Sequence, residues 1–326
     1  MLEVKRFYSA PRAFAALILI FICQAASFES GATDMQGDSN RFYFGRFSFQ
    51  VPTTGDGTWS SYKIAQNKIQ FISKNGKKDI ENLVKGAIER INKLHKSGYP
   101  AYDQTVSLEG GGAIVVSKSN KYNFDIYYLT SKNTLYRQQV ESVSLTGFEK
   151  SVQITRDINA NIHFRNPTTP PPDSTFAIEA GYLQIPLNKY PEQVSIGLPI
   201  TTLPGIHIIF DTRIIGKPEP GLIARYEERT SGGMTKLLKK VLSSSTLMRK
   251  RKVTITDLPF EELLVKTTAE GRVLYSFRLE YAGTPGKSLE PYTVIELSTL
   301  EKGKSFSSDE EALEFWGRLV GSIERI

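Results

Sequence analysis

Only one cysteine and three histidines occur among 326 residues, and each shortage removes a class of chemistry. A lone thiol, Cys23, leaves no partner for an intrachain disulfide and no cysteine set for a metal. His95, His163 and His207 share neither helical nor hairpin spacing, so they offer no metal-binding pair and fit ordinary surface or core positions. No Gly-x-Ser-x-Gly elbow is present, and no phosphate-binding glycine pattern follows a strand. Ser60 and Lys63 reproduce the Ser-x-x-Lys fragment of penicillin-binding enzymes, but its companion motifs are missing. Gly110 to Gly112 and Gly232-Gly233 read as turns. Glu261-Glu262 and Asp309-Glu310-Glu311 read as structural, the second set opening a helix whose dipole favours carboxylates. The sequence therefore predicts no catalytic residue, no metal and no cofactor.

Long apolar runs are scarce too. The uncharged stretch Ala13 to Phe28 has its apolar centre at Ala13 to Cys23, shorter than the roughly 20 residues of a membrane span. Lys5, Arg6 and Arg12 precede it and Ala25, Ala26 and Ser27 follow, the succession of a secretory signal peptide over residues 1–26. Lipidation at Cys23 would want small residues before it, where Phe21 and Ile22 stand, so cleavage after Ala25 or Ala26 is favoured. The mature chain then has no thiol and no integral membrane span. Its formal charge falls from +7 to +5, because Lys5, Arg6, Arg12 and Glu3 leave with the leader. That surplus suits an acidic partner or an anionic surface, or merely solubility, and export argues against nucleic acid. Arg249, Lys250, Arg251 and Lys252 form the densest basic run, expected as an exposed turn. It reads either as a solvated loop or as a partner-binding site.

The mature length exceeds what one hydrophobic core usually serves, which predicts two domains. Between Asn166 and Ser174 four prolines interrupt the chain, favouring an extended polyproline spacer. The expected units are therefore 27–166 and 173–326, joined by a linker at 167–172. In the first unit Phe47 to Val51, Lys68 to Ser73, Ala113 to Ser117, Phe124 to Thr130 and Leu135 to Val143 read as strands. Apolar residues from Ile80 to Leu94 recur at helical spacing, with Asp79 near the start and Gly98 beyond the end. Residues 147 to 163 fit either a closing helix or strand alternation. The second unit repeats the order: a helix over about Met234 to Leu242, then strands at Lys252 to Thr256, Phe260 to Thr267, Arg272 to Tyr281 and Tyr292 to Ser298. Ser308 and Glu311 form a capping box before a helix burying Leu313, Trp316, Leu319, Val320 and Ile323. The fold class is α+β, as two tandem similar domains, each an antiparallel sheet with helices on one face.

Several short segments are architectural rather than catalytic. Gly45-Arg46-Phe-Ser-Phe-Gln-Val-Pro52, Phe176-Ala-Ile-Glu-Ala-Gly181, Pro285-Gly286 with Pro291 and Glu296-Leu297, and Ser308-Asp-Glu-Glu-Ala-Leu313 with Trp316 and Ser322-Ile323 occur in this order. Together they resemble the cognate immunity proteins of type VI secretion lipase effectors. The resemblance implies a two-domain periplasmic protein that binds a phospholipase toxin one to one and shields the producer's membranes. It transfers no functional residues. The residues alone also fit a periplasmic solute or cell-wall binding protein with an interdomain cleft, and, as a third reading, an uncharacterised periplasmic hydrolase.

Overall fold

The computed structural model describes residues 40–53, 57–231, 245–269, 271–300 and 302–326. The expected leader with Ala25 and Ala26, and the helix expected over 234–242, lie outside the described residues. The first half runs β1 (Asn40–Phe44), β2 (Phe47–Val51), β3 (Trp59–Ile64), β4 (Asn67–Ser73), α1 (Gly76–His95), β5 (Ala101–Ser107), β6 (Ala113–Lys118), β7 (Tyr122–Leu129), β8 (Leu135–Val143), α2 (Phe148–Asn161) and β9 (Ile162–Phe164). The second half runs β10 (Phe176–Ile178), β11 (Gly181–Leu183), β12 (Glu192–Ile200), β13 (Leu203–Arg213), α3 (Leu222–Ser231), β14 (Ser245–Ile255), β15 (Leu258–Ala269), β16 (Arg272–Tyr281), β17 (Tyr292–Thr299), α4 (Asp309–Gly321) and β18 (Glu324–Arg325).

Twelve of these strands form one antiparallel sheet in the order β14-β15-β16-β17-β13-β12-β3-β4-β8-β7-β6-β5. The separate sheets expected for the two halves are thus a single sheet, joined where β3 pairs with β12 from Ile64↔Glu192 to Trp59↔Gly197. The join is chemically ordinary. Tyr62 and Ile64 alternate with Ser61 and Lys63, as Val194 and Ile196 do with Gln193 and Ser195, so both strands offer one apolar face in matching register. The core follows the sheet. One buried cluster runs from Phe44 through Phe210 to Ile323, with Phe44, Phe47 and Phe49 ringing Phe210 at centroid distances of 4.3, 5.8 and 5.9 Å. The chain ends meet as well, because β2 pairs with both β1 and β18.

Helices lie on both faces of the long sheet, correcting the one-sided packing expected. α2 and α4 bury Val152, Ile158, Trp316 and Leu319 in the shared core, whereas α1 packs Ile80, Leu83 and Ala87 against Val115, Tyr127 and Leu135 on the opposite face. α1 also starts earlier than its apolar pattern indicates. The Asn133 side chain caps it from a neighbouring turn by accepting from the Lys77 amide at 2.6 Å, a cap that no local spacing reveals. Residues 147 to 163 resolve as α2 followed by β9. The proline-rich segment is no extended spacer: buried Arg165 donates to the carbonyls of Asn166, Pro167 and Thr169 at 3.1, 2.8 and 2.8 Å and curls the loop around its guanidinium. Five fixed donors need acceptors, and a proline segment with few amides leaves its carbonyls free to supply them.

Candidate interaction surface

Arg249, Lys250, Arg251 and Lys252 stand inside the edge strand β14 and not in a turn. Strand alternation sends them to opposite faces. Arg249 and Arg251 reach Glu262 at 3.5 and 2.7 Å on the α4 side, while Lys250 reaches Glu227 of α3 at 2.6 Å and Lys252 lies 3.6 Å from Glu261. Glu262 is 1% exposed and also accepts from the Trp316 indole at 2.8 Å. The run therefore compensates acids of this chain, and spacing along β14 could not show it because those acids come from β15 and α3. Lys252, 75% exposed, is the member most available to a partner.

The segments that carried the family resemblance converge in space. Gly45 exchanges backbone hydrogen bonds with Ala177, and Arg46 grips Glu192 through two bonds of 2.8 and 2.6 Å while donating to the Ser174 carbonyl. Phe176 and Pro291 line the small cavity beside this pair. Burial raises the Glu192 pKa and Arg46 opposes the rise. The arrangement is a clasp between β2, β10 and β12. Close by on α2, Asp157 accepts from Lys189, Tyr190 and Gln153, and these bonds hold its pKa down to about 2.

Part of the sheet carries no helix among the described residues, although Tyr292 and Val294 of β17 are buried there with Ile215. α1 packs on the β4–β8 side and α3 on β15, so between them β3, β12, β13 and β17 carry no helix on that face among the described residues. Register places Trp59, Gly197, Ile209 and Glu296 in one row across it, with Pro199, His207 and Ser298 in the next. Trp59 is 46% exposed, and its indole lies so close over Gly197 that a Cβ there would fall 2.0 Å from Nε1. Half-buried His207 has its pKa lowered by burial, so the imidazole is neutral at pH 7. Arg278 closes the far rim by pairing with Glu280 and Glu296. None of this was read from the sequence, although the period-two apolar series Val194 to Ile200 and Ile206 to Phe210 carried a usable signal.

The remaining candidates stay apart. His95 meets the Tyr99 carbonyl at the end of α1, and His163 stacks on Tyr182. Ser60 and Lys63, three apart on a strand, point to opposite faces, unlike the same spacing on a helix. An open apolar groove of about 390 Å³ runs between α1 and Gly111-Ala113. No metal-ligating cluster occurs among the described residues, and none of their helices is long and apolar enough to cross a membrane.

Residues 169–325 match the model of the Tle cognate immunity protein 4 C-terminal domain. The whole fold follows solved immunity proteins. The apo structure of TplEi, a type VI secretion immunity protein from Pseudomonas aeruginosa, has a TM-score of 0.77 at 23% identity, covering 88% of this chain and 97% of that one. The Tle4–Tli4 complex also gives 0.77, at 24% identity over 90% of this chain and 98% of the matched one. TplEi bound to an "L" peptide gives 0.74, at 22% identity over 89% and 99%. No curated protein matches the sequence.

Proposed function

We propose that this chain is a periplasmic immunity protein that binds and blocks a cognate type VI secretion phospholipase effector, protecting the producing cell. The match of residues 169–325 to the Tle immunity protein model carries this reading. Fold similarity to Tli4, solved with Tle4, and to TplEi supports it. The chain acts by one-to-one occlusion and not by turnover, so lipid is kept from the effector's catalytic entrance. Its leader is removed at Ala25 or Ala26. Residues 27–166 and 173–326, either side of the segment 167–172, serve as two similar lobes that both touch the effector. Within the run Arg249, Lys250, Arg251 and Lys252, Lys252 is the contact residue, because its carboxylate neighbour is 3.6 Å away and its side chain stands in solvent.

Titrating the purified mature chain into the lipase encoded beside it tests the reading. Inhibition should reach its end point at equimolar protein, with a one-plus-one mass by light scattering and about 1,200 to 2,000 Å² of buried surface. A lipase that stays fully active at equimolar concentration overturns it. Intact mass of the periplasmic fraction checks export: the product begins near Ala26 or Ser27 without lipid, and an acyl group on Cys23 overturns the unlipidated form.

A further inference from the structure

We propose that the effector docks on the sheet face of β3, β12 and β13 that no described helix covers, between α1 and α3, with Trp59 as the central anchor; this inference rests on the immunity reading. One of the chain's two tryptophans, Trp316, is fully buried, whereas Trp59 is 46% exposed on the strand face that no described helix covers. A large aromatic ring in that position is the type of residue on which binding energy concentrates when a partner removes it from water. The ring is also held in place beforehand. Gly197 lets the indole lie directly on the β12 backbone, and Ile209 and Pro199 occupy the neighbouring register positions. Holding the side chain before binding lowers the entropy lost when the complex forms.

Size and charge indicate the occupant. Three strands, β3, β12 and β13, at about 4.8 Å spacing, each with about seven residues at about 3.3 Å, give a floor of roughly 14 by 23 Å, because Tyr292 and Val294 of β17 are already buried beside Ile215. That is roughly 320 Å², less than half of the roughly 800 Å² that each partner contributes to a stable complex, so a docked protein draws the rest of its contact from the flanking surface. The row of Trp59, Gly197 and Ile209 is apolar; beside it Asp211 accepts from Ser195 and lies 3.7 Å from Arg213, and Arg278 is compensated by Glu280 and Glu296. Toward α1, however, Lys63 stands directly opposite Lys68 on β3 and β4, and neither forms an ion pair among the described residues. Partial desolvation raises the Glu179 pKa, and the charge of Lys68 opposes that rise without an ion pair between them. Like charges facing each other across a ladder are unfavourable, and acidic groups on a partner remove that cost. The fitting occupant is a folded protein surface with an apolar knob beside carboxylates, here the phospholipase effector.

The test uses the mature chain labelled with 5-fluorotryptophan and the purified lipase encoded beside it. On binding, the Trp59 fluorine resonance shifts and that of Trp316 does not. Calorimetry should show Trp59→Ala weakening the complex by about 30-fold or more. Lys63→Glu, a surface change that leaves the core intact, should also weaken it. If the wild type binds while the Trp59 resonance stays put and both variants bind like the wild type, docking lies elsewhere and the immunity reading stands. If the wild type does not bind, the immunity reading falls and this proposal falls with it. Should Trp59→Ala unfold, seen as a red shift of Trp316 emission, the Lys63→Glu affinity and the wild-type fluorine shift decide.

Discussion

Arg46 and Glu192 are 3% and 5% exposed, so each relies on the other to compensate its charge. Removing one partner of such a pair typically costs about 3 to 5 kcal/mol, because the other charge stays buried. Arg46→Ala should lower stability by that amount in urea unfolding at pH 7. The deficit should shrink in acid. Burial already raises Glu192 above 4.5, and without Arg46 the folded state favours the protonated acid still more. A folded pKa above the unfolded one contributes stability that is present below the unfolded value and lost as pH rises through the folded value. An equal deficit at pH 4 and pH 7 would contradict the assignment. Gly197 makes a second demand at this scale. Gly197→Ala places a methyl 2.0 Å from the Trp59 Nε1, so the ring must shift outward from the position it holds on the glycine. The expected cost is about 1 kcal/mol, with increased acrylamide quenching of Trp59; unchanged quenching would mean that the ring does not sit there.

At the scale of elements, β14 and α4 are coupled through Glu262. Arg251→Glu brings a second carboxylate against a buried one that already takes bonds from Arg251 and Trp316, and should cost about 2 kcal/mol or more. Lys252→Glu gives up one 3.6 Å contact made by a side chain 75% exposed, while Glu261 keeps its bond from the Ile223 amide, so the cost should stay below about 1 kcal/mol. Lys252→Glu is therefore the cleaner probe of effector docking, and equal melting temperatures for the two variants would refute the difference. Trp316→Ala removes the largest core side chain and the indole donor, with an expected loss of about 3 to 5 kcal/mol. Elements defined by local pattern were legible: β16 alternates Tyr275, Phe277, Leu279 and Tyr281 into the core, and the Ser308 hydroxyl caps α4 at the Glu311 amide. Glu311 answers the Ser307 amide, one residue earlier than an ideal capping box. The face of β14's basic residues was not legible, because their partners arrive from β15 and α3.

For the whole molecule the shared sheet and continuous core predict one cooperative unfolding transition, with fluorescence and circular dichroism coincident. Two resolved transitions would show that the lobes fold separately despite the β3–β12 ladder. A protease cut within 166–174 should leave both fragments together in native gel filtration, parting only in denaturant. Asp157 adds an acid limb. Its depressed carboxyl, held by Lys189, Tyr190 and Gln153, contributes stability above 3.8 that is lost as pH falls through about 2. Asp157→Asn should flatten the decline in melting temperature between pH 4 and pH 2; an unchanged decline would place it on other carboxylates.

The linear order of residues by itself determined the α+β class, most strands of β4 to β8 and β15 to β17, the apolar stripes of α1 and α4, and the absence of catalytic motifs. Those properties depend on contacts within one element or one turn, where apolar period and capping residues act over a few positions. Tertiary structure decided that the two halves share a sheet, that helices cover both faces, that the basic run is paired, and that Trp59 rests on Gly197. Each of these joins residues far apart in the chain: Arg46 and Glu192, Trp59 and Gly197, Trp316 and Glu262. Their pairing is set by strand register and burial, which emerge only when the whole core closes.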